Sequence, residues 1–423
     1  MIRFSKLLIS ILCLAVLLSG CSAAEESAAE QTYASVCSMA EAVSSAVTQK
    51  DWKTLSGLFA RSSEQSHRAK DLKALWAEQT SEDPGECLAE GVVFEDDRKG
   101  GELLFLAGDQ EVQADFRLAE SGKISSLQFF LRSEDPVLES SDTWTETAVS
   151  FGKEVSMRGV LTLPKDVESP PVAILMPEGM KESCNRSGND DSFRKDFAHA
   201  LAEAGIASVR WNTRLEEDPY LIQDSSEYSL NRILLEDFAS VVHSLERYPV
   251  NAADIIYIGL GTGGSLGYYL VNSHFEITGG LVLLNAPYEE DGISLLSRAE
   301  ELNISADEVK YSIAAEPEID PMIGGYPLTY WKDWNTAGAL NYTPKVSMPI
   351  AILQGEADTI TKFSSDYESW KSQKGSNVSM KSYPGLGHYL RETDGSLSAD
   401  VVNDIVRWHQ GEDIEKEGEE DDS

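Results

Sequence analysis

Asp358, in Gly355-Glu356-Ala357-Asp358, and His388, closing Pro384-Gly385-Leu386-Gly387-His388, each stand in a short loop directly after an apolar, strand-like run. Taken singly, the aspartate reads as a helix N-cap ahead of Thr359 and Ile360, and the histidine as an exposed loop residue. Taken together they suggest acid–base chemistry. A carboxylate on one imidazole nitrogen fixes the tautomer and leaves the other nitrogen free to take a proton from a nucleophile. Such a pair needs a nucleophile within its reach. Ile255-Ile256-Tyr257-Ile258 runs into Gly259-Leu260-Gly261-Thr262-Gly263-Gly264, and the tip of this turn, Gly261, has no side chain with which to attack.

Three neighbours are alternative nucleophiles. Ser265 lies in Gly263-Gly264-Ser265-Leu266-Gly267, a literal G-x-S-x-G that begins beyond the strand end and places the serine a turn into the following helix, where a packing role competes. Thr262 and Cys184 would have to act from a donor position and from the rim. The same glycines also satisfy G-x-G-x-x-G, the dinucleotide fingerprint, which expects an acidic residue about 20 positions on at the end of the next strand. Here that strand, Leu281 to Leu284, ends at Asn285. No CxxC, HExxH or clustered His/Cys spacing suggests a metal. No cofactor is expected.

Between residues 144 and 411, strand runs alternate with helical stretches: Val155 to Leu163, Val172 to Met176, a helix from Phe193 to Ala204, Ala207 to Trp211, a helix from Leu230 to Arg247, Ile255 to Gly259, a helix from about Gly263, Leu281 to Leu284, Ile350 to Leu353 and Val378 to Tyr383. Continuous apolar runs bounded by helices predict an α/β fold with a mostly parallel sheet covered on both faces. Such a sheet carries its site at the carboxyl ends of its strands.

The acid loop, the histidine loop and their order resemble the α/β-hydrolases, over roughly Trp144 to Gly411. In that family a strand runs into G-x-S-x-G and presents serine on a sharp strand-to-helix turn. The flanking glycines fit without a gap, and Gly261 falls in the serine's place. The resemblance implies oxyanion donors at Thr262 and near Gly179. Relatives commonly carry His-Gly where this chain has Pro177-Glu178-Gly179, so a proline removes a donor and a carboxylate opposes a developing negative charge. A helical cap is expected over about 286–347, with Tyr326, Tyr330, Trp331, Trp334 and Tyr342 either shaping an apolar pocket or packing the cap onto its neighbours. The family includes acyl-ester hydrolases, acyl thioesterases and serine aminopeptidase-like enzymes. The reading that follows is a hydrolase fold that has lost ordinary serine hydrolysis and binds or senses a small acyl or peptide-like ligand. The alternative is an active esterase, thioesterase or peptidase using Ser265 with Asp358 and His388.

Residues 33–132 read differently. Apolar residues three and four apart predict helix from Tyr33 to about Thr80, and four strand-like runs follow: Leu88 to Glu95, Glu102 to Ala107, Glu111 to Ala119 and Ile124 to Leu131. Turn signals stand at Lys99-Gly100-Gly101, Gly108-Asp109 and Ser121-Gly122. This α+β layout resembles small cystatin-like or nuclear-transport-factor-like domains. It reads as a spacer or dimerisation module, or as a cone that holds a ligand. Residues 133–143 form a polar linker.

The N-terminus sets the address. Arg3 and Lys6 precede an apolar core from Leu7 to Leu18, and Leu18-Ser19-Gly20-Cys21 resembles the bacterial lipobox. Residues 1–20 read as a lipoprotein signal peptide, Cys21 as the lipidated mature terminus and 21–32 as a tether, which places the protein on the extracytoplasmic face of the cell membrane. The formal net charge is -36. Removing Arg3 and Lys6 with the signal makes it more negative, so nucleic acid and anionic lipid are poor partners and the lipid anchor alone serves the membrane. Cys13 leaves with the signal. Cys37 and Cys87 either bridge or remain thiols. Residues 412–423 are an acidic, solvated tail.

Overall fold

The computed structural model describes residues 23–63, 65, 67–95, 98–108, 110–132, 135–152, 155–218, 235–272, 277–288, 295, 299, 303–316, 320–324, 326–338, 348–372 and 374–415. The signal peptide, Cys21, Tyr342 and the end of the acidic tail lie outside these residues. Two compact units divide the chain, 1–132 and 133–423.

The first unit opens with helices α1 (Ala23–Thr48), α2 (Trp52–Gly57) and α3 (Ala69–Gln79), followed by strands β1 (Cys87–Glu95), β2 (Arg98–Ala107), β3 (Gln110–Leu118) and β4 (Ile124–Leu131) in one antiparallel meander. Val36, Val43, Leu55, Leu72 and Trp76 from the helices pack against Phe105, Val112, Phe116 and Phe129 from the sheet. Burying each large apolar side chain stabilises by roughly 1.5–3 kcal/mol.

Residues 23–32, within the stretch read as a tether, are helical as part of α1, Ala23, Ala24, Glu25, Glu26, Ala28 and Ala29 being strong helix formers. One expectation needs correction here. Lys99-Gly100-Gly101 lie inside β2 rather than in a turn, and the hairpin closes at the Glu95–Arg98 pair. A side chain on Gly100 would come within 3.1 Å of the Phe116 carbonyl carbon on β3. That glycine marks a close approach of backbones.

The second unit is built on strands β5 (Trp144–Phe151), β6 (Met157–Pro164), β7 (Pro171–Met176), β8 (Ala207–Trp211), β9 (Asn251–Leu260), β10 (Gly280–Leu284), β11 (Ile350–Gly355) and β12 (Val378–Tyr383). Their order in the sheet is β12-β11-β10-β9-β7-β8-β6-β5, and only β6 runs against the rest. Helices α4 (Phe193–Glu203), α5 (Asp237–Ser244), α6 (Gly261–Asn272), α7 (Ala306–Ala315), α8 (Leu328–Gly338), α9 (Phe363–Ser372) and α10 (Ala399–His409) accompany it. Alternation along β9 feeds two cores. Ile255 and Tyr257 join the cluster containing Phe238 and Leu266, while Ile256, Ile258 and Leu260 join the one containing Phe197 and Trp408. β5 has no counterpart among the expected strands, because an edge strand reading Trp-Thr-Glu-Thr-Ala-Val-Ser-Phe lacks an apolar run.

Strand register positions the site. Met176 pairs with Gly259, Leu260 with Leu284, Leu284 with Leu353, and Gly355 with Tyr383. Five parallel strands therefore end level, and the loops that follow converge above them.

Within 286–347, α7 and α8 are helical as expected of a cap. Tyr330, Trp331 and Trp334 are fully buried and belong to the core cluster on the β9 Tyr257 face. Tyr330 lies edge-on to Trp334 at 6.0 Å. These rings pack the segment down rather than line an open pocket.

Candidate functional site

β9 ends at Leu260 and α6 starts at Gly261, whose φ of 53° lies in the left-handed region that glycine adopts without strain. The turn is tight: a methyl group on Gly259 would reach Gly264 N at 2.6 Å. Gly261 thus stands where the strand-to-helix turn would present a nucleophile. A side chain there would overlap Glu178 Oε1, and its Cβ would lie 2.9 Å from Glu178 Cδ and 3.3 Å from His388 Cε1. The carboxylate of Glu178 fills this space.

Asp358 and His388 are brought together. Asp358 Oδ2 accepts from His388 Nδ1 at 2.9 Å, while Oδ1 accepts the amides of Ile360 at 2.8 Å and Thr361 at 3.1 Å. Aspartate therefore both caps the turn and orients the imidazole. On the far side of the ring, His388 Nε2 donates to Glu178 Oε1 at 2.9 Å. All three side chains are buried. Burial alone would lower the His388 pKa, but the Glu178 charge, the hydrogen bonds to Asp358 and Glu178, and the Asp358 charge outweigh it and push it up to about 10. The raised pKa favours the imidazolium form of His388, and both ring nitrogens are engaged, by Asp358 and by Glu178.

The loop bearing Glu178 spans residues 177–192, between β7 and α4. Thr262 Oγ1 donates to the Glu178 carbonyl at 3.0 Å, and Ser187 Oγ donates to Glu178 Oε2 at 3.2 Å. Glu182 folds back beneath it. Its Oε2 accepts the Glu178 amide at 3.1 Å, its Oε1 accepts the Gly188 amide at 2.7 Å, and Arg194 Nη2 faces it at 3.7 Å. Burial raises the Glu182 pKa, partly offset by Arg194 and by the amides of Gly188 and Gly179. From α4, Arg194 also donates to the carbonyls of Arg186 at 2.6 Å and Trp211 at 3.3 Å, stitching the loop to the sheet.

Of the expected oxyanion positions, the Gly179 amide acts on the Glu182 carboxylate, as the Glu178 amide does, while the Thr262 side chain holds the Glu178 carbonyl. Ser265, the alternative nucleophile, is not brought to His388. It is fully buried in α6, and its hydroxyl donates to the Pro287 carbonyl at 2.8 Å. Cys184 and Cys37 are free thiols. Cys184 is buried, its amide donates to Asn212 Oδ1 at 2.7 Å, and burial raises its pKa, which opposes a nucleophilic thiolate.

Asn285 was not among the expected site residues. Its Nδ2 donates to the carbonyls of His388 at 2.7 Å and Gly387 at 3.2 Å, and its Oδ1 accepts the Gly355 amide at 2.7 Å. One buried side chain ties the acid loop to the histidine loop. The available signal was a lone asparagine ending the apolar run Leu281–Leu284, with φ of 45°. At the rim, Tyr389 Oη accepts the Asn189 amide at 2.8 Å. Arg391 pairs with Asp190 and reaches Asp196 Oδ2 at 2.9 Å, pinning the 177–192 loop to the histidine loop.

The strand order, the single reversed strand and the converging loops define an α/β-hydrolase fold, preceded by a small antiparallel α+β unit. No protein-family model and no curated protein matches the chain. Solved structures similar to it include Est1E from Butyrivibrio proteoclasticus, at 17% identity and a TM-score of 0.43, covering 64% of this chain and 99% of that one. The esterase domain of a Rhodothermus marinus protein is 14% identical, with a TM-score of 0.42 over 63% and 98% of the two chains. A hypothetical protein from Pseudomonas aeruginosa is 15% identical, with a TM-score of 0.46 over 64% and 95%. The likeness is one of fold alone.

Proposed function

We propose that this chain is an exported lipoprotein, anchored through Cys21, whose α/β-hydrolase-fold domain does not carry out serine hydrolysis and instead binds or senses a small acyl or peptide-like ligand. The observation that carries the reading is the 2.9 Å contact between His388 Nε2 and Glu178 Oε1 beside a nucleophile position occupied by Gly261. General base catalysis needs an imidazole nitrogen within reach of a hydroxyl, whereas His388 Nε2 is taken up by Glu178. The hydrogen bonds of Ser265 and Thr262 count against their substituting for the missing serine. The lipobox-like Leu18-Ser19-Gly20-Cys21 supports the address, and no helix among the described residues is long and apolar enough to cross a membrane.

The test is turnover of p-nitrophenyl esters, acyl thioesters and aminoacyl-anilides by protein from Ala24 onward, beside Ser265→Ala and His388→Ala. We expect no turnover above background in any of the three proteins. Turnover abolished in both variants would instead establish Ser265 as a nucleophile.

A further inference from the structure

The Glu178 carboxylate is held as a bound ligand would be. Oε1 takes the Nε2–H of His388, from another loop, at 2.9 Å, while Oε2 takes the hydroxyl of Ser187, a buried residue of its own loop that moves with it, at 3.2 Å. The group comes from a loop rather than from the sheet. The backbone of that loop rests on Thr262 and Glu182, and its outer ties, Arg391 to Asp190 and Tyr389 to Asn189, lie at the rim. The sheet side of the centre, His388 and Asp358, belongs to other loops that Asn285 fixes independently.

We infer that the centre is a binding site for a free carboxylate, with Glu178 as a built-in occupant that an external carboxylate displaces when the 177–192 loop swings outward. This inference rests on the reading that the site does not hydrolyse esters. The chemistry is selective. With Glu178 withdrawn, His388 Nε2 loses its partner, and a carboxylate restores the charge-assisted hydrogen bond, whereas a neutral ester or amide offers only a weaker neutral acceptor. The carboxylate of an acyl chain and that of a peptide C-terminus share this chemistry.

The test uses the full chain in detergent, measuring binding by calorimetry and thermal shift of hexanoate, of N-acetyl-alanyl-alanine, and of the methyl ester of each. Glu178→Ala vacates the site, and Arg391→Gln loosens the loop while keeping Glu178. In Glu178→Ala at least one acid should bind tenfold or more tighter than its ester, and Arg391→Gln should bind the same acid at least threefold tighter than the wild type. The preferred acid assigns the source. Acids and esters binding alike in these variants, or no binding by either, would overturn the inference. If Glu178→Ala does not fold, Arg391→Gln decides alone by the same criteria. Ester turnover by the wild type would sink the non-hydrolytic reading, a failure distinct from absent carboxylate binding.

Discussion

At Gly261 a substituent and the Glu178 carboxylate compete for one volume. Gly261→Ser should therefore not restore hydrolysis, because the new Cβ would stand 2.9 Å from Glu178 Cδ and the imidazole would remain paired with Glu178. The substitution also forces a side chain into the left-handed region and into a packed site, at a cost of about 1–3 kcal/mol. Urea denaturation and an ester assay of the variant check both statements. A folded variant with turnover would contradict them. The pH dependence of stability has a definite sign. His388 has its pKa raised from 6.5 to about 10, so its contribution is fully present below about pH 6.5 and is lost as pH rises through about 10.

Residue types at this centre were legible to different degrees. Asp358, His388 and the glycine turn follow from strand-end spacing, and Glu178 was visible as a carboxylate close to the oxyanion position. Its reach into the nucleophile position was not, since no periodicity dictates where a flexible side chain points. The same holds for Asn285 and for the buried set around β5, in which Arg210 Nη2 donates to Glu146 Oε1 at 2.7 Å and His199 Nε2 meets the same oxygen at 2.7 Å. With these partners outweighing burial, Glu146 is held down at about 2. Its three members are far apart in the chain, and no spacing in the sequence links them.

At the scale of elements, the decisive piece is the 177–192 loop. It is shut by ties made from its own short-range structure to Tyr389 and Arg391 on the histidine loop. Arg391→Ala removes the Asp190 and Asp196 pairings together, which should cost roughly 1–3 kcal/mol locally and accelerate amide hydrogen exchange across 177–192 while the β9–β11 amides keep their protection. Unchanged exchange in the loop would show that the rim ties do not hold it. The parallel strands were readable because buried strands are continuous apolar runs, whereas β5 was hidden by its edge position and the Gly100 turn signal was misleading because a glycine serves close strand pairing as well as turns.

The whole molecule combines two units with separate cores and a formal net charge of -36. A net charge this negative opposes binding to anionic headgroups, so under the proposed lipid anchor membrane association should depend on Cys21. Cys21→Ser should abolish incorporation of labelled fatty acid into the protein. Continued incorporation in that variant would contradict the anchor.

The account turns on Glu178 standing in the nucleophile's place and holding His388 as an imidazolium. The most direct measurement is the NMR titration of His388 in histidine-labelled protein, assigned by its loss in His388→Gln. The account predicts a protonated ring at pH 8 with a pKa near 10, falling in Glu178→Gln. A neutral His388 at pH 8, indifferent to Glu178→Gln, would contradict it.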